Sequence, residues 1–114
     1  MDQQLTTFRE MWPAVRAGGV YLVEDLHTSY WSEFGGGYRK PGPFIEYAKT
    51  LVYSMHAWHS RDEHSFKIDD HTRTVRGMHV YDSVIVFDKA QVEKPDHLET
   101  GRATFEWGDP SRTP

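Results

Sequence analysis

A short apolar segment that follows two glycines and ends on two acids restricts the fold of this chain more than any other feature. Gly18 and Gly19 precede the apolar residues 20–23, and Glu24 and Asp25 follow directly. A short apolar run without alternation is typical of a strand buried on both faces of a parallel sheet. Ligands of open α/β sheets bind at the carboxyl ends of the strands. The sequence therefore predicts an interior strand with a ligand site where it ends.

Apolar periodicity predicts a helix on each side of this strand. One helix is predicted over residues 2–16, with a break near Trp12, because Pro13 removes a backbone hydrogen bond and opens one further turn. A second helix is predicted over residues 44–64, after a Gly- and Pro-rich loop at 32–43. The two apolar stripes are Leu5, Phe8, Trp12 and Val15, then Phe44, Tyr47, Ala48, Leu51, Val52, Met55 and Trp58.

Two β-rich segments near the end of the chain predict a hairpin. Residues 75–81 and 84–89 are joined by Asp82-Ser83, a candidate two-residue turn. The second segment begins with four apolar residues and is predicted to be interior, whereas the first alternates more and suits an edge. Residues 91–114 carry charges, Gly and Pro without a period, which predicts a mobile tail. Three strands and two helices are few for a complete sheet, so either a larger domain or another copy completes it.

Composition excludes several classes of protein. The 114 residues carry a net charge of −4, which argues against a general nucleic-acid or anionic-membrane surface. The absence of cysteine excludes disulfides and thiolate metal sites. The first residues lack the basic and apolar regions of a signal peptide, and no apolar run approaches the roughly 20 residues that span a bilayer. We therefore expect a cytoplasmic protein.

Glu24 and Asp25 are the strongest candidate metal ligands. Two neighbouring carboxylates without an adjacent Lys or Arg repel each other, and a divalent cation relieves that repulsion. A site with oxygen ligands and no sulfur favours Mg²⁺ over Zn²⁺ or Cu²⁺. Neighbours in a straight strand point to opposite faces, so both acids bind one ion only if the chain turns at Asp25. The alternative is a strand end whose acids face water or cap the following turn.

The next five residues combine hydroxyl groups with ring faces, which suit a sugar or another polyol. These candidate substrate-binding residues are His27, Thr28, Ser29, Tyr30 and Trp31. The alternative is a polar loop that Trp31 anchors in the core. No residue is identified as catalytic or as cofactor-binding.

Three further features are predicted to be structural. His56 and His59 share a helix face without a third ligand and suit half-exposed positions beside the apolar stripe. His79 suits a structural histidine with its hydrogen bonds satisfied. Residues 35–37, three glycines, lack the strand and helix of a phosphate-binding loop. They suit flexibility or a close backbone approach to a ligand.

Residues 18–31, followed by the three glycines, resemble the class I S-adenosylmethionine-dependent methyltransferases. Within that family the similarity is to the Mg-dependent macrocin, mycinamicin and rhamnosyl sugar O-methyltransferases. Residues 75–89 are similar to the closing hairpin of the family, and the resemblance covers roughly residues 2–90. It implies the C-terminal part of a Rossmann-like α/β sheet, with an insertion over 26–74.

The resemblance also implies a position for each segment in that sheet. The first helix would lie between strands four and five, and the insertion would cover the substrate. Residues 20–25 would be strand five, and residues 75–81 and 84–89 would be strands six and seven. Residues 1–90 would thus be a partial methyltransferase domain, and 91–114 a polar tail.

The resemblance implies that Glu24 and Asp25 are two ligands of Mg²⁺. A third ligand and a catalytic histidine would lie in an Asp-x-x-His motif immediately before Met1, and the Gly-rich cofactor loop is not among these residues. We therefore expect a fragment, a mis-started gene or a short form that is inactive alone. The implied reaction is methyl transfer from S-adenosylmethionine to a sugar hydroxyl of a glycosylated natural product in antibiotic biosynthesis.

Two alternatives stay open. In the first, the chain is a non-catalytic remnant that acts as a homo-oligomer or as a partner subunit. In the second, it is an unrelated carbohydrate- or metal-binding module. The predicted partner is a sugar-bearing small molecule, and no nucleic-acid or membrane partner is predicted.

Overall fold

A computed structural model describes residues 2–96 of the chain. Within these residues, three strands form one sheet in the order β1-β3-β2, and both pairings are antiparallel. The strands are β1 (Val20–Val23), β2 (Val75–Tyr81) and β3 (Val84–Lys89). The α-helices are α1 (Asp2–Met11), α2 (Phe44–His56) and α3 (Asp70–Thr74).

Each helix within residues 2–96 is too short or too polar to cross a lipid bilayer. The predicted tail over 91–114 lies outside the described residues beyond position 96.

The first helix breaks where the sequence predicts, and its last turn ends at Ala14 rather than at residue 16. α1 stops at Met11, and Pro13 lies in the following 3₁₀ turn, Trp12–Ala14. The rings of Phe8 and Trp12 stack at 5.4 Å, and both side chains are buried. Gly18 then adopts φ +89°, and its N–H donates to the Lys89 carbonyl at 2.7 Å. This turn directs the chain into β1 beside β3.

The core lies on one face of the sheet, beneath α1 and α2. Val23, Ile85 and Phe87 supply the sheet side, and their exposed fractions do not exceed 7%. The helices and loops contribute Phe8, Trp12, Leu26, Phe44, Ala48 and Leu51 to the same cluster. Phe8 is the aromatic centre, since its ring contacts those of Trp12, Phe44 and Phe87.

The opposite face of β1 is exposed. Val20 and Leu22 are 59% and 54% exposed, and within residues 2–96 β1 pairs only with β3. The expectation that this strand is buried on both faces is therefore wrong for the described residues, and its expected parallel neighbour is not among them. The physical reason is that the helices of the core, α1 and α2, both pack against the other face.

The hairpin is confirmed, and the second helix ends earlier than predicted. β2 and β3 have the predicted bounds, with β3 central and β2 at the edge. α2 and the 3₁₀ turn after it end at His59 rather than at residue 64. Beyond it, the Asp62 carboxylate accepts hydrogen bonds from the His64 and Ser65 N–H groups, a local turn that competes with the helix. α3 was not predicted from the sequence.

Candidate functional site

The chain turns sharply at the end of β1. Asp25 has φ 60° and ψ 34°, in the left-handed region, and a 3₁₀ helix over Leu26–Tyr30 follows at once. A short polar side chain tolerates this conformation better than a branched one. A left-handed residue breaks the alternation of side chains along an extended strand. The backbone therefore meets the condition for Glu24 and Asp25 to share one ion, which is a turn at Asp25.

Both acids are exposed at this turn, and their backbone groups are held in place. The Glu24 carbonyl accepts a hydrogen bond from Gln4 Nε2 at 3.0 Å, and the Asp25 carbonyl accepts one from Thr28 Oγ1 at 2.9 Å. Neither carboxylate forms a hydrogen bond or an ion pair with any residue in the 2–96 range. These residues also contain no cluster of three or more His, Cys, Asp or Glu suited to a metal. The described chain thus has two carboxylates here that are candidate metal ligands, and no third.

The tip of the β2–β3 hairpin holds the segment that follows the acids. The Ser83 carbonyl accepts a hydrogen bond from the Leu26 N–H at 3.0 Å, and Ser83 Oγ accepts one from the His27 N–H at 3.2 Å. Its Oγ also lies 2.5 Å from His27 Nδ1. From the sequence, Ser83 was predicted only as a turn residue and not as part of the candidate site. The contact depends on the register of β1 against β3, in which Val23 faces Ile85.

A cavity of about 270 Å³ lies between this segment and the hairpin. It is lined by Leu26, His27, Tyr30, Ile45, Val80, Tyr81, Asp82 and Ser83. Tyrosine rings and aliphatic side chains surround a few polar groups, a composition typical of small-molecule pockets. The structure thus brings two of the five candidate substrate-binding residues, His27 and Tyr30, to one pocket on the segment that follows the acids.

The other three candidates have different surroundings. The Thr28 hydroxyl is bonded to the Asp25 carbonyl, and Ser29 is fully buried, with no hydrogen-bond partner for its hydroxyl among the described residues. Trp31 is 46% exposed, and its ring meets the His27 ring edge to face at 5.1 Å. Leu26, which is 3% exposed, anchors the segment in the core instead of Trp31.

One of the three glycines supports this segment directly. A Cβ atom on Gly36 would lie 2.1 Å from the Ser29 carbonyl oxygen. The Gly36 and Gly37 N–H groups donate to the carbonyls of Trp31 and Ser29, each at 2.9 Å. The close approach therefore joins two backbone segments of the chain, where the sequence had suggested a ligand.

Three histidines outside this region, His56, His59 and His79, have surroundings that suit a structural role. His79 Nε2 lies 2.7 Å from the Asp88 carboxylate across the hairpin, which confirms a histidine with a satisfied hydrogen bond. His56 Nδ1 donates to the Val52 carbonyl at 2.6 Å. His56 and His59 are exposed and, in the described part of the chain, belong to no metal-binding cluster.

Comparisons with known proteins give relatives of a single kind. No family model matches the chain. L-olivosyl-oleandolide 3-O-methyltransferase of Streptomyces antibioticus is 33% identical over 93 residues, which cover 78% of this chain and 24% of that protein. Demethylmacrocin O-methyltransferase of Streptomyces fradiae is 34% identical over 88 residues, which cover 74% of this chain and 22% of that protein. The chain spans about a quarter of the length of the curated relatives it matches.

A solved structure agrees with the sequence comparison. The MycE methyltransferase from the mycinamycin biosynthetic pathway, in complex with Mg and SAH, superposes with a TM-score of 0.68 at 30% identity. The match covers 76% of this chain and 23% of MycE. Both comparisons confirm the resemblance drawn from residues 18–31 and the hairpin. Over about a quarter of their length, the chain is similar to O-methyltransferases that act in the oleandolide and macrocin series, and its fold matches a part of the MycE methyltransferase.

Proposed function

We propose that this chain contributes the metal and acceptor side of a Mg²⁺-assisted methyl transfer from S-adenosylmethionine to a sugar hydroxyl of a glycosylated small molecule. The observation that carries the proposal is the left-handed turn at Asp25, which leaves two exposed carboxylates directly before a segment whose His27 and Tyr30 line a pocket. The relatives support it, because they are named as sugar O-methyltransferases and MycE holds Mg. A cytoplasmic location stays a prediction from composition.

Glu24 and Asp25 are the residues that would hold Mg²⁺. The donor set fits this ion, since Mg²⁺ in proteins usually has one or two carboxylate ligands and keeps several waters. When bound, the ion polarises neighbouring hydroxyls of the sugar and lowers their pKa. The chain's own contribution is to orient the two acids, through the backbone bonds of Gln4 and Thr28 to their carbonyl groups.

The residues after the acids would bind the acceptor. The rings of His27, Tyr30 and Trp31 supply a polar edge and apolar faces, the combination that suits a sugar. Thr28 and Ser29 belong to the same candidate set, and their role is to hold the segment, through the Asp25 carbonyl and through the core. No residue in the 2–96 range is assigned to the donor or to proton removal.

Metal titration of the purified chain tests the proposal. Mn²⁺, a paramagnetic substitute for Mg²⁺, is titrated into the wild type and into the double variant Glu24→Gln, Asp25→Asn. We expect the double variant to bind at least about ten-fold more weakly, because a unit charge near a surface contributes about 4 kcal/mol at contact distance. Glu33→Gln, another exposed acid, is the matched control and keeps wild-type affinity. Equal Mn²⁺ affinity in all three proteins contradicts the proposal.

Donor binding gives a second test. We expect the isolated chain to bind S-adenosylmethionine weakly or not at all, because its described residues contain no assigned donor site. Isothermal calorimetry measures this affinity directly. A Kd in the low micromolar range would contradict the expectation.

A further inference from the structure

We infer that Ser83, at the tip of the β2–β3 hairpin, is a positioning residue that orients the His27 ring towards a hydroxylated acceptor. The inference deepens the proposed function and rests on it for the nature of the ligand. Three contacts carry it, from the Leu26 N–H, the His27 N–H and His27 Nδ1 to this one serine. Ser83 also adopts φ +65°, so the hairpin turns tightly at the residue that makes them.

The chemistry of the hydroxyl explains the orientation. A serine hydroxyl has one proton to donate and two lone pairs to accept. At Ser83, one lone pair accepts the His27 N–H, which leaves the proton and one lone pair for Nδ1 in either tautomer. Nδ1 is therefore occupied, and Nε2 is the ring nitrogen left to bond a ligand. The Trp31 ring, 5.1 Å away, restrains the imidazole from a second side.

The cavity beside His27 matches a hydroxylated ring in chemistry. The Tyr30 and Tyr81 rings offer apolar faces, and Asp82 offers an acceptor for hydroxyl groups. Leu26, which lines the same cavity, directly follows Asp25 in the chain, so the segment that follows the proposed metal ligands forms part of the cavity wall. The hairpin tip thus has two roles at this site: it forms one wall of the cavity, and it holds the His27 ring in place.

Histidine-ring NMR of the full 114-residue chain, recorded without metal, tests the anchor. Ser83→Gly removes the hydroxyl but keeps the left-handed backbone and the carbonyl that bonds Leu26. We expect the His27 ring nitrogens to shift in this variant while the Leu26 amide keeps its position. Ser60→Gly is the control, since the Ser60 hydroxyl is bonded only locally to Asp62. Unchanged His27 ring signals in Ser83→Gly overturn the inference.

Titration with methyl rhamnoside, a simple sugar with neighbouring hydroxyls, tests the ligand in the presence of Mg²⁺. We expect shifts at His27 and Tyr81, and about five-fold weaker binding in Ser83→Gly, the loss typical of one hydrogen bond. Mn²⁺ affinity stays at the wild-type level in this variant because both acids are intact. The absence of sugar-dependent shifts at His27 and Tyr81 overturns the inference. Equal Mn²⁺ affinity in the wild type and in the double variant Glu24→Gln, Asp25→Asn overturns the proposed function alone.

Discussion

Backbone conformation at single residues builds the candidate site. Asp25 and Ser83 both have left-handed φ values near 60°, and the hydrogen bonds through Leu26 and His27 link the two turns. The acids and the hydroxyl groups of this region were predicted from the sequence. Ser83 was predicted only as a turn residue, because its contact with His27 spans 56 positions of the chain. The residue types therefore indicated the chemistry of the site, and the backbone angles determined which of these residues lie close together.

Gly36→Ala tests the close approach beneath the candidate site. We expect the free energy of unfolding to fall by about 1–3 kcal/mol, because the new Cβ would lie 2.1 Å from the Ser29 carbonyl oxygen and the backbone must shift. Urea denaturation measures the loss. Gly37→Ala is the control, since its Cβ meets only the flexible Lys40 side chain, at 3.3 Å. Equal losses in both variants would show that the Ser29 contact is not the cause.

The stability of the chain should depend on pH through His71. Burial lowers the pKa of His71 below its ordinary value of 6.5, although Asp69 and Asp70 oppose the shift. The ring stacks on Phe8 at 5.8 Å. Between the folded pKa and 6.5 the unfolded chain binds more protons, so stability is full above 6.5 and falls as the pH drops below it.

Urea denaturation from pH 8 down to pH 5, about the range in which histidine titrates, measures this drop. We expect His71→Gln to remove most of it, because that side chain does not titrate. His59→Gln, at an exposed position, is the control and keeps the drop. An unchanged pH profile in His71→Gln would refute the assignment.

At the scale of elements, local chemistry made most boundaries predictable. The proline just after α1, the apolar run of β3 and the two-residue turn each act within a few residues. α3 was missed because it has only five residues and lacks an apolar stripe. Its signal was the capping box, in which the Asp69 carboxylate accepts the Thr72 N–H and Thr72 Oγ1 accepts the Asp69 N–H.

Asp69→Ala tests that capping box. We expect a loss of about 1 kcal/mol in the free energy of unfolding, the usual value for an N-cap. The change also removes the bond that Ser54 Oγ donates to the Asp69 carboxylate. Hydrogen exchange at the Thr72 amide reports the cap directly and should become faster. Asp70→Ala, the next acid, is the control, and a Thr72 exchange rate raised equally by both changes would contradict the capping role.

At the scale of the whole molecule, residues 2–96 cover the sheet on one face only. β1 and β3 are apolar on both faces, yet the core lies on the side of Val23, Ile85 and Phe87. Val20 and Leu22 are exposed on the other side, on a strand whose second edge is unpaired within residues 2–96. Exposed apolar edge strands are sites of association between chains.

Leu22→Lys tests this surface. We expect sedimentation velocity to show less self-association, because a charge on an edge strand opposes pairing. The free energy of unfolding should change by less than about 0.5 kcal/mol, since Leu22 is 54% exposed. Val52→Lys makes the same kind of change at an exposed position of α2 and should leave association unaltered. Association that persists in Leu22→Lys would exclude this face as the contact.

The sequence by itself determined the helix break at Trp12, the bounds of the two hairpin strands, the two acids after β1 and the resemblance to methyltransferases. These depend on turn residues, proline and apolar periodicity, whose effects act over a few positions. The tertiary structure decided which face is buried, that Gly36 supports Ser29, and that Ser83 bonds His27. Such contacts depend on how distant segments pair and pack, because strand register is set by burial and by the path of the whole chain.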